Sequence, residues 1–214
     1  MIFMKNEIWF DVDDTLVDTA SEIHRCLLSR LGQDKPIETW PSMMFTQFYD
    51  MKGYDVHQMR AWWQEDQILE QAQLFEGVFD MLHFLHETGA RIGLITARAW
   101  HPEAKRITEE FIVRHGLPVQ ELKLLKFEES KLALLQDQAS RIQGFIDDSP
   151  SHVKSIASLN VPAVLIRRPW NQQSDYPNVV EKTHAFPRCL GYEYAHQKSD
   201  STSSKFSKNF KIQF

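Results

Sequence analysis

Short apolar runs alternate along this chain with longer stretches whose apolar residues fall at helical spacing. Residues 6–11 (Asn-Glu-Ile-Trp-Phe-Asp) form an apolar run that ends in acid, and residues 91–96, 143–147 and 162–166 have the same character. Runs of this length, apolar on successive residues, suit strands covered on both faces. Between them, Val78, Met81, Leu82 and Leu85 predict one helix, with Gly89 as its stop. Ile107, Phe111 and Ile112 predict a second, closed by Gly116 and Pro118. Leu132, Leu135 and Ala139 predict a third, and Val153, Ile156 and Ala157 a fourth that ends before Pro162. Alternating strands and helices predict an α/β core in three layers, a parallel sheet with helices on both faces.

One segment breaks the alternation. Residues 17–76 contain no convincing strand and show helical patterns near 19–31, 42–51 and 56–71. This is an insertion directly after the first strand, and its expected form is a small helical cap. The expected division is therefore a core made of residues 1–16 and 77–192, a cap at 17–76, and a Ser- and Lys-rich tail at 193–214 that is flexible or only loosely docked.

Composition narrows the class. Hydrophobic residues make up 43% of the 214 positions and charged residues 25%, as in an ordinary globular protein. The formal charge is −5, from 24 basic and 29 acidic residues, which argues against broad nucleic-acid binding. The two cysteines, Cys26 and Cys189, form no Cys-x-x-Cys pair, so neither a disulfide framework nor a cysteine zinc site is expected. A reducing compartment fits this usage. The first residues lack a signal-peptide pattern, and no run approaches the roughly 20 apolar residues needed to cross a bilayer. The expectation is a soluble, cytoplasmic protein with no membrane partner.

The chemistry is expected beyond the carboxyl ends of the strands, where open α/β sheets bind ligands. The first strand delivers Asp11-Val12-Asp13-Asp14-Thr15, the second Thr96-Ala97-Arg98, and a later one Asp147-Asp148-Ser149. Lys131 opens the helix between these last two. A phosphate ester is an anion and repels an attacking carboxylate. A divalent cation held among several carboxylates removes that obstacle and orients the attack. Asp11 can then act as the nucleophile and form an aspartyl-phosphate. Asp13 can protonate the leaving oxygen and later deprotonate water. Thr96 can bind a phosphate oxygen, and Lys131 can balance charge as a compact cation. Ligands that are all oxygen favour Mg2+ over zinc.

Taken in order, these residues resemble the motifs of the haloacid-dehalogenase-like superfamily. They are Phe10-Asp11-Val12-Asp13-Asp14-Thr15-Leu16, Leu94-Ile95-Thr96, Lys131 and Phe145-Ile146-Asp147-Asp148. The resemblance covers roughly residues 6–170. It implies a Rossmann-like core, Asp11 as nucleophile and metal ligand, and Asp13 as general acid/base that also ligates metal through its backbone carbonyl. One or both of Asp147 and Asp148 would complete the Mg2+ site, and residues 17–76 would close over the substrate. The second acid, Asp13, disfavours dehalogenation. The stretches Leu94–Arg98, Ile146–Pro150 and Arg168-Pro169-Trp170-Asn171 are similar to the 5′-nucleotidase and deoxyribonucleotidase-like branch. That similarity implies a nucleoside or deoxynucleoside monophosphate as the small phosphorylated substrate.

Alternatives stand beside several of these assignments. Lys126 rivals Lys131 as the motif lysine. Arg98 is either a phosphate ligand or a solvated residue at a helix start. Trp170 either anchors a plain loop or flanks the site. The aromatics of the insertion, Trp40, Phe45, Phe48, Tyr49, Trp62 and Trp63, either stack on a nucleobase or pack the insertion's own helices, and packing is the commoner use of such a stripe. Other functional classes are a phosphatase for sugar phosphates or another small metabolite, an enzyme acting on nucleic-acid ends, and a non-catalytic phosphate-binding module.

Overall fold

The apolar runs pair side by side, as covered parallel strands must, in a computed structural model that describes residues 5–42, 48–126 and 129–194. Six strands form one sheet: β1 (Glu7–Phe10), β2 (Arg91–Thr96), β3 (Val119–Leu124), β4 (Ile142–Asp147), β5 (Ala163–Ile166) and β6 (Val179–Val180). Their order is β3-β2-β1-β4-β5-β6, and every pairing is parallel. This is the doubly wound, Rossmann-like arrangement. The chain reverses direction across the sheet between β1 and β4, so their carboxyl ends flank a crevice.

The helices are α1 (Thr19–Leu31), α2 (Val56–Glu65), α3 (Ile68–Gln71), α4 (Val78–Glu87), α5 (Ala104–Arg114), α6 (Lys131–Leu135), α7 (Pro150–Ala157) and α8 (Phe186–Cys189). Strand side chains alternate between two apolar layers. Ile8 and Phe10 of β1 join Ile92, Leu94 and Ile146 in a cluster with Met81 and Leu85 of α4, Ile112 of α5 and Phe186 of α8. Trp9, between them in sequence, faces the other way with Ile95, Phe145 and Leu165, against Leu135 of α6 and Val153 and Ile156 of α7. The expected three layers are present.

The insertion carries α1, α2 and α3 around its own apolar cluster, which includes Leu27, Trp40, Met59 and Trp62 and reaches Ile107 of α5. Asp18 caps α1 by accepting from the Ser21 amide at 3.1 Å, and Gly32, at φ 67°, closes it. The helix expected over 56–71 is instead two, broken where Gln67 turns left-handed at φ 53°. The helix expected near 42–51 falls partly on residues 43–47, outside the described residues, as do Phe45 and all but the first two residues of the tail at 193–214. The third expected helix is one short α turn, α6, that passes into a 3-10 turn over Gln136–Arg141. No described helix is long and apolar enough to cross a membrane.

Gly93 of β2 lies against the indole of Trp9 on the neighbouring strand. A Cβ at this position would sit 2.6 Å from two ring atoms. Trp9 is buried and cannot move aside cheaply. Gly93→Ala is expected to lower stability by about 1–3 kcal/mol, read by urea denaturation. An unchanged midpoint would contradict this packing.

Candidate active site

The site is built where β1 and β4 end side by side. Phe10 pairs with Ile146 in register, and the Asp11 amide donates to the Ile146 carbonyl at 2.9 Å. Asp11 and Asp147 therefore leave the sheet together, with Asp148 next in the chain. Carboxylate oxygens of Asp11, Asp147 and Asp148 lie within 4.8 Å of one another, and all three residues are buried. Lys131, at the start of α6, extends its ammonium between Asp11 and Asp147. It donates to Asp11 Oδ1, and to Asp147 Oδ2 at 2.7 Å. Asp147 Oδ1 also accepts from the Ser149 amide at 2.8 Å, and His152 Nδ1 lies 3.1 Å from Oδ2.

Electrostatics separates the acids. Burial pushes the Asp11 carboxyl up to about 7; Lys131 opposes the rise and Asp147 adds to it. Burial also acts on Asp147, but the Lys131 ammonium and His152 outweigh it and hold that carboxyl low. Asp148 is raised well above the ordinary carboxylate range by burial and by the charges of Asp147 and Asp11. One ammonium thus leaves this acid cluster short of positive charge. Buried, purely oxygen donors short of positive charge fit a hard divalent cation such as Mg2+.

Asp13 belongs to a second network. Arg98 grips it with both arms of its guanidinium, Nε to Oδ2 at 2.8 Å and Nη2 to Oδ1 at 2.6 Å. Thr96 Oγ1 donates to Oδ2 at 3.2 Å, and Thr19 Oγ1 of α1 donates to Oδ1 at 2.5 Å. Arg98 is buried and also donates to Thr108 Oγ1 at 3.2 Å. Partial burial would raise Asp13, but Arg98 and these hydrogen bonds hold its carboxyl below the usual range. Asp14 takes a left-handed backbone at φ 56°, which Asp tolerates better than most residues. Its side chain accepts from the Ala20 amide of α1 at 2.8 Å.

The cluster forms the floor of a cleft of about 510 Å³ between the core and the insertion. The roof is apolar: Ile23, Trp63, Ile68 and Leu69 from the insertion, with Trp100 and Trp170 from the core. No family model matches the chain. Solved structures do match its shape. A haloacid-dehalogenase-like hydrolase from Streptococcus pneumoniae superposes with a TM-score of 0.58 at 18% identity, covering 88% of this chain and 99% of the other. A structure from Clostridium acetobutylicum, described as a predicted phosphatase, superposes with a TM-score of 0.64 at 14% identity, covering 88% and 100%. This is the haloacid-dehalogenase-like fold. A curated Bacillus cereus protein named "Putative nucleotidase" is 22% identical over 179 residues, covering 81% of this chain and 93% of its own.

Within the haloacid-dehalogenase-like fold, the residues singled out from sequence fall into two sets. Asp11, Lys131, Asp147 and Asp148 meet in one cluster. Asp13, Thr96 and Arg98 meet in the other, so Arg98 is neither solvated nor turned to open space but paired with Asp13. Lys126, the alternative lysine, is exposed, and its backbone amide donates to Glu129. Of the insertion's aromatics, Trp63 lines the cleft, while Trp40, Tyr49 and Trp62 pack inside the insertion. Thr19, Trp100 and His152 reach the site without any distinguishing sequence pattern. Trp170 and Asn171 were visible only as part of the Arg-Pro-Trp-Asn segment.

The Arg98–Asp13 pair carries a pH signature. A carboxyl held low in the folded state adds stability above its unfolded value, near pH ~4, and loses it as pH falls through the lower folded value. Arg98→Met is expected to cost about 3–5 kcal/mol near neutral pH, with a smaller loss at about pH 3. Guanidinium denaturation of both proteins at the two pH values reads the difference. An equal cost at both would contradict the pairing.

Proposed function

We propose that the protein is a magnesium-dependent phosphomonoester hydrolase that works through an aspartyl-phosphate on Asp11, with nucleoside or deoxynucleoside 5′-monophosphates as its substrates. The observation that carries this is the acid cluster of Asp11, Asp147 and Asp148 set beneath an aromatic cleft. Residues 17–76 serve as the cap, since α1, α2 and α3 supply four of the six roof side chains, Ile23, Trp63, Ile68 and Leu69.

Asp11, Asp147 and Asp148 would hold the Mg2+, which when bound offsets the phosphate's charge and orients it for in-line attack. The Asp11 carboxylate attacks phosphorus, and the ester oxygen departs with a proton from Asp13. Arg98 and Thr96 keep Asp13 ionised in the arrangement described. A phosphate anion arriving beside it raises its proton affinity, so the proton it donates is taken up as substrate binds. Asp13 then receives a proton from the water that attacks the aspartyl-phosphate, which releases inorganic phosphate and restores Asp11. Lys131 keeps Asp11 aligned and balances charge throughout.

The cleft favours a particular leaving group. Among its described lining residues the charged and ionisable side chains are Asp11, Asp13, Asp14, Asp147, Asp148 and His152, with no Lys or Arg. A second anionic group on the substrate would find no counter-charge there. The tryptophan and aliphatic roof offers area for stacking and few hydrogen-bond partners for a bare sugar. A nucleobase suits both features, and the Bacillus cereus relative's name agrees with that choice.

Phosphate release with and without Mg2+, across nucleoside monophosphates, deoxynucleoside monophosphates and sugar phosphates, tests the proposal. The expected result is magnesium-dependent release with preference for the nucleotides. Preference for sugar phosphates would contradict the substrate, and no release from folded protein would contradict the enzyme. Asp11→Asn is expected to lower turnover at least about a thousandfold while thermal unfolding stays cooperative. Turnover at the wild-type rate would sink the nucleophile.

A further inference from the structure

The short turn Pro169–Asn171 after β5 takes no part in the chemistry above, yet it holds Asp148 at two places. Trp170 Nε1 donates to Asp148 Oδ2 at 2.8 Å. Asn171 Nδ2 donates to the Asp148 carbonyl at 2.7 Å and to the Ile166 carbonyl at 2.8 Å. Its Oδ1 accepts from the Arg168 amide at 2.9 Å, which fixes the amide's own orientation. Side chain and backbone of Asp148 are thus both anchored to the end of β5. The same indole meets the insertion: its ring lies 6.2 Å from that of Trp40, centre to centre, and lines the cleft.

A carboxylate on a loop can rotate about its Cβ–Cγ bond and present either oxygen to an ion. Asp11 and Asp147 are steered by the Lys131 ammonium. Asp148 lies outside these two bonds of Lys131, and its carboxyl is steered by the Trp170 N–H. Partners of this kind set how well a carboxylate ligates a metal, and losing one typically weakens binding about 10- to 100-fold.

We infer that Trp170 is a positioning residue for the divalent-cation site: its indole N–H fixes the carboxyl of Asp148 for the ion, and its ring, packed on Trp40, ties that orientation to the seating of the insertion. This rests on Asp148 being a metal ligand, as proposed above. Trp170→Phe keeps an aromatic ring in the cleft and removes only the donor. Trp170→Leu removes both.

The test is Mn2+ binding to the full chain without substrate, read from the free-ion signal in electron paramagnetic resonance. Asp148→Asn serves as the reference. Wild type is expected to bind one ion in the cluster and Asp148→Asn to lose it. Both Trp170 variants are expected to bind it about 10- to 100-fold more weakly. At saturating metal, Trp170→Phe, which keeps a ring in the roof, should raise the KM for the phosphate ester less than Trp170→Leu does, although the two weaken metal binding alike. A merely structural role would not separate the metal constant from KM in this way. Loss of folded protein lowers the number of sites and leaves the constant unchanged, so the constant is read on folded molecules. Unweakened binding by Trp170→Phe, with Asp148→Asn still defective, overturns the role of Trp170 and leaves the metal site standing. No binding by wild type removes the metal site, full binding by Asp148→Asn removes Asp148 as its ligand, and either result overturns this inference.

Discussion

Carboxylates crowded at the ends of two adjacent strands repel one another, and this protein holds Asp11, Asp13, Asp14, Asp147 and Asp148 within one cleft floor. Two buried cations make that possible. Lys131 lies between Asp11 and Asp147, and Arg98 locks both oxygens of Asp13. Neither cation would be tolerated in the interior without these acids, since an unpaired buried charge costs several kcal/mol. The compensation is incomplete on the side of Asp11 and Asp148, whose carboxyls are raised by burial and by their neighbours. That residual demand for positive charge is what suits the floor of the cleft to a divalent ion.

The fold answers this constraint through its strand order. Placing β1 beside β4 brings together acids 136 positions apart in the chain, Asp11 and Asp147. The insertion is wired into the same loop. Thr19 bonds to Asp13, and the Ala20 amide is capped by Asp14, so α1 begins on the acid loop itself. Trp170 makes a second link, from Asp148 to the ring of Trp40. Two of the elements that shape the cleft roof, α1 and the Trp170 turn, are therefore hydrogen-bonded to the acids that would do the chemistry.

The buried strands were legible because each is apolar on successive residues, and the acids at their ends followed directly. β3 was not, because it lies at the sheet edge with five of its six residues only half buried, so Gln120, Glu121 and Lys123 interrupt its pattern. β6 spans two residues and α8 four, too short for periodicity to show. The break at Gln67 depends on a backbone turn that no residue type there announces. Within the site, Asp11, Lys131, Asp147 and Asp148 could be named from position along the chain. The pairing of Arg98 with Asp13 could not, because it depends on which way a long side chain folds once the β2 end is covered by α5. Trp63 and Trp100 came to the cleft through packing between insertion and core, which sequence spacing does not encode.

In the proposed mechanism Asp11 carries the phosphoryl group between two half-reactions. Acid quenching during turnover, followed by borohydride reduction, converts an aspartyl-phosphate to homoserine, and peptide mass spectrometry locates the changed residue. Homoserine is expected at position 11, and only with substrate and metal present. Quenched enzyme that turns over yet shows no modification at position 11, or shows it at another carboxylate, would contradict it.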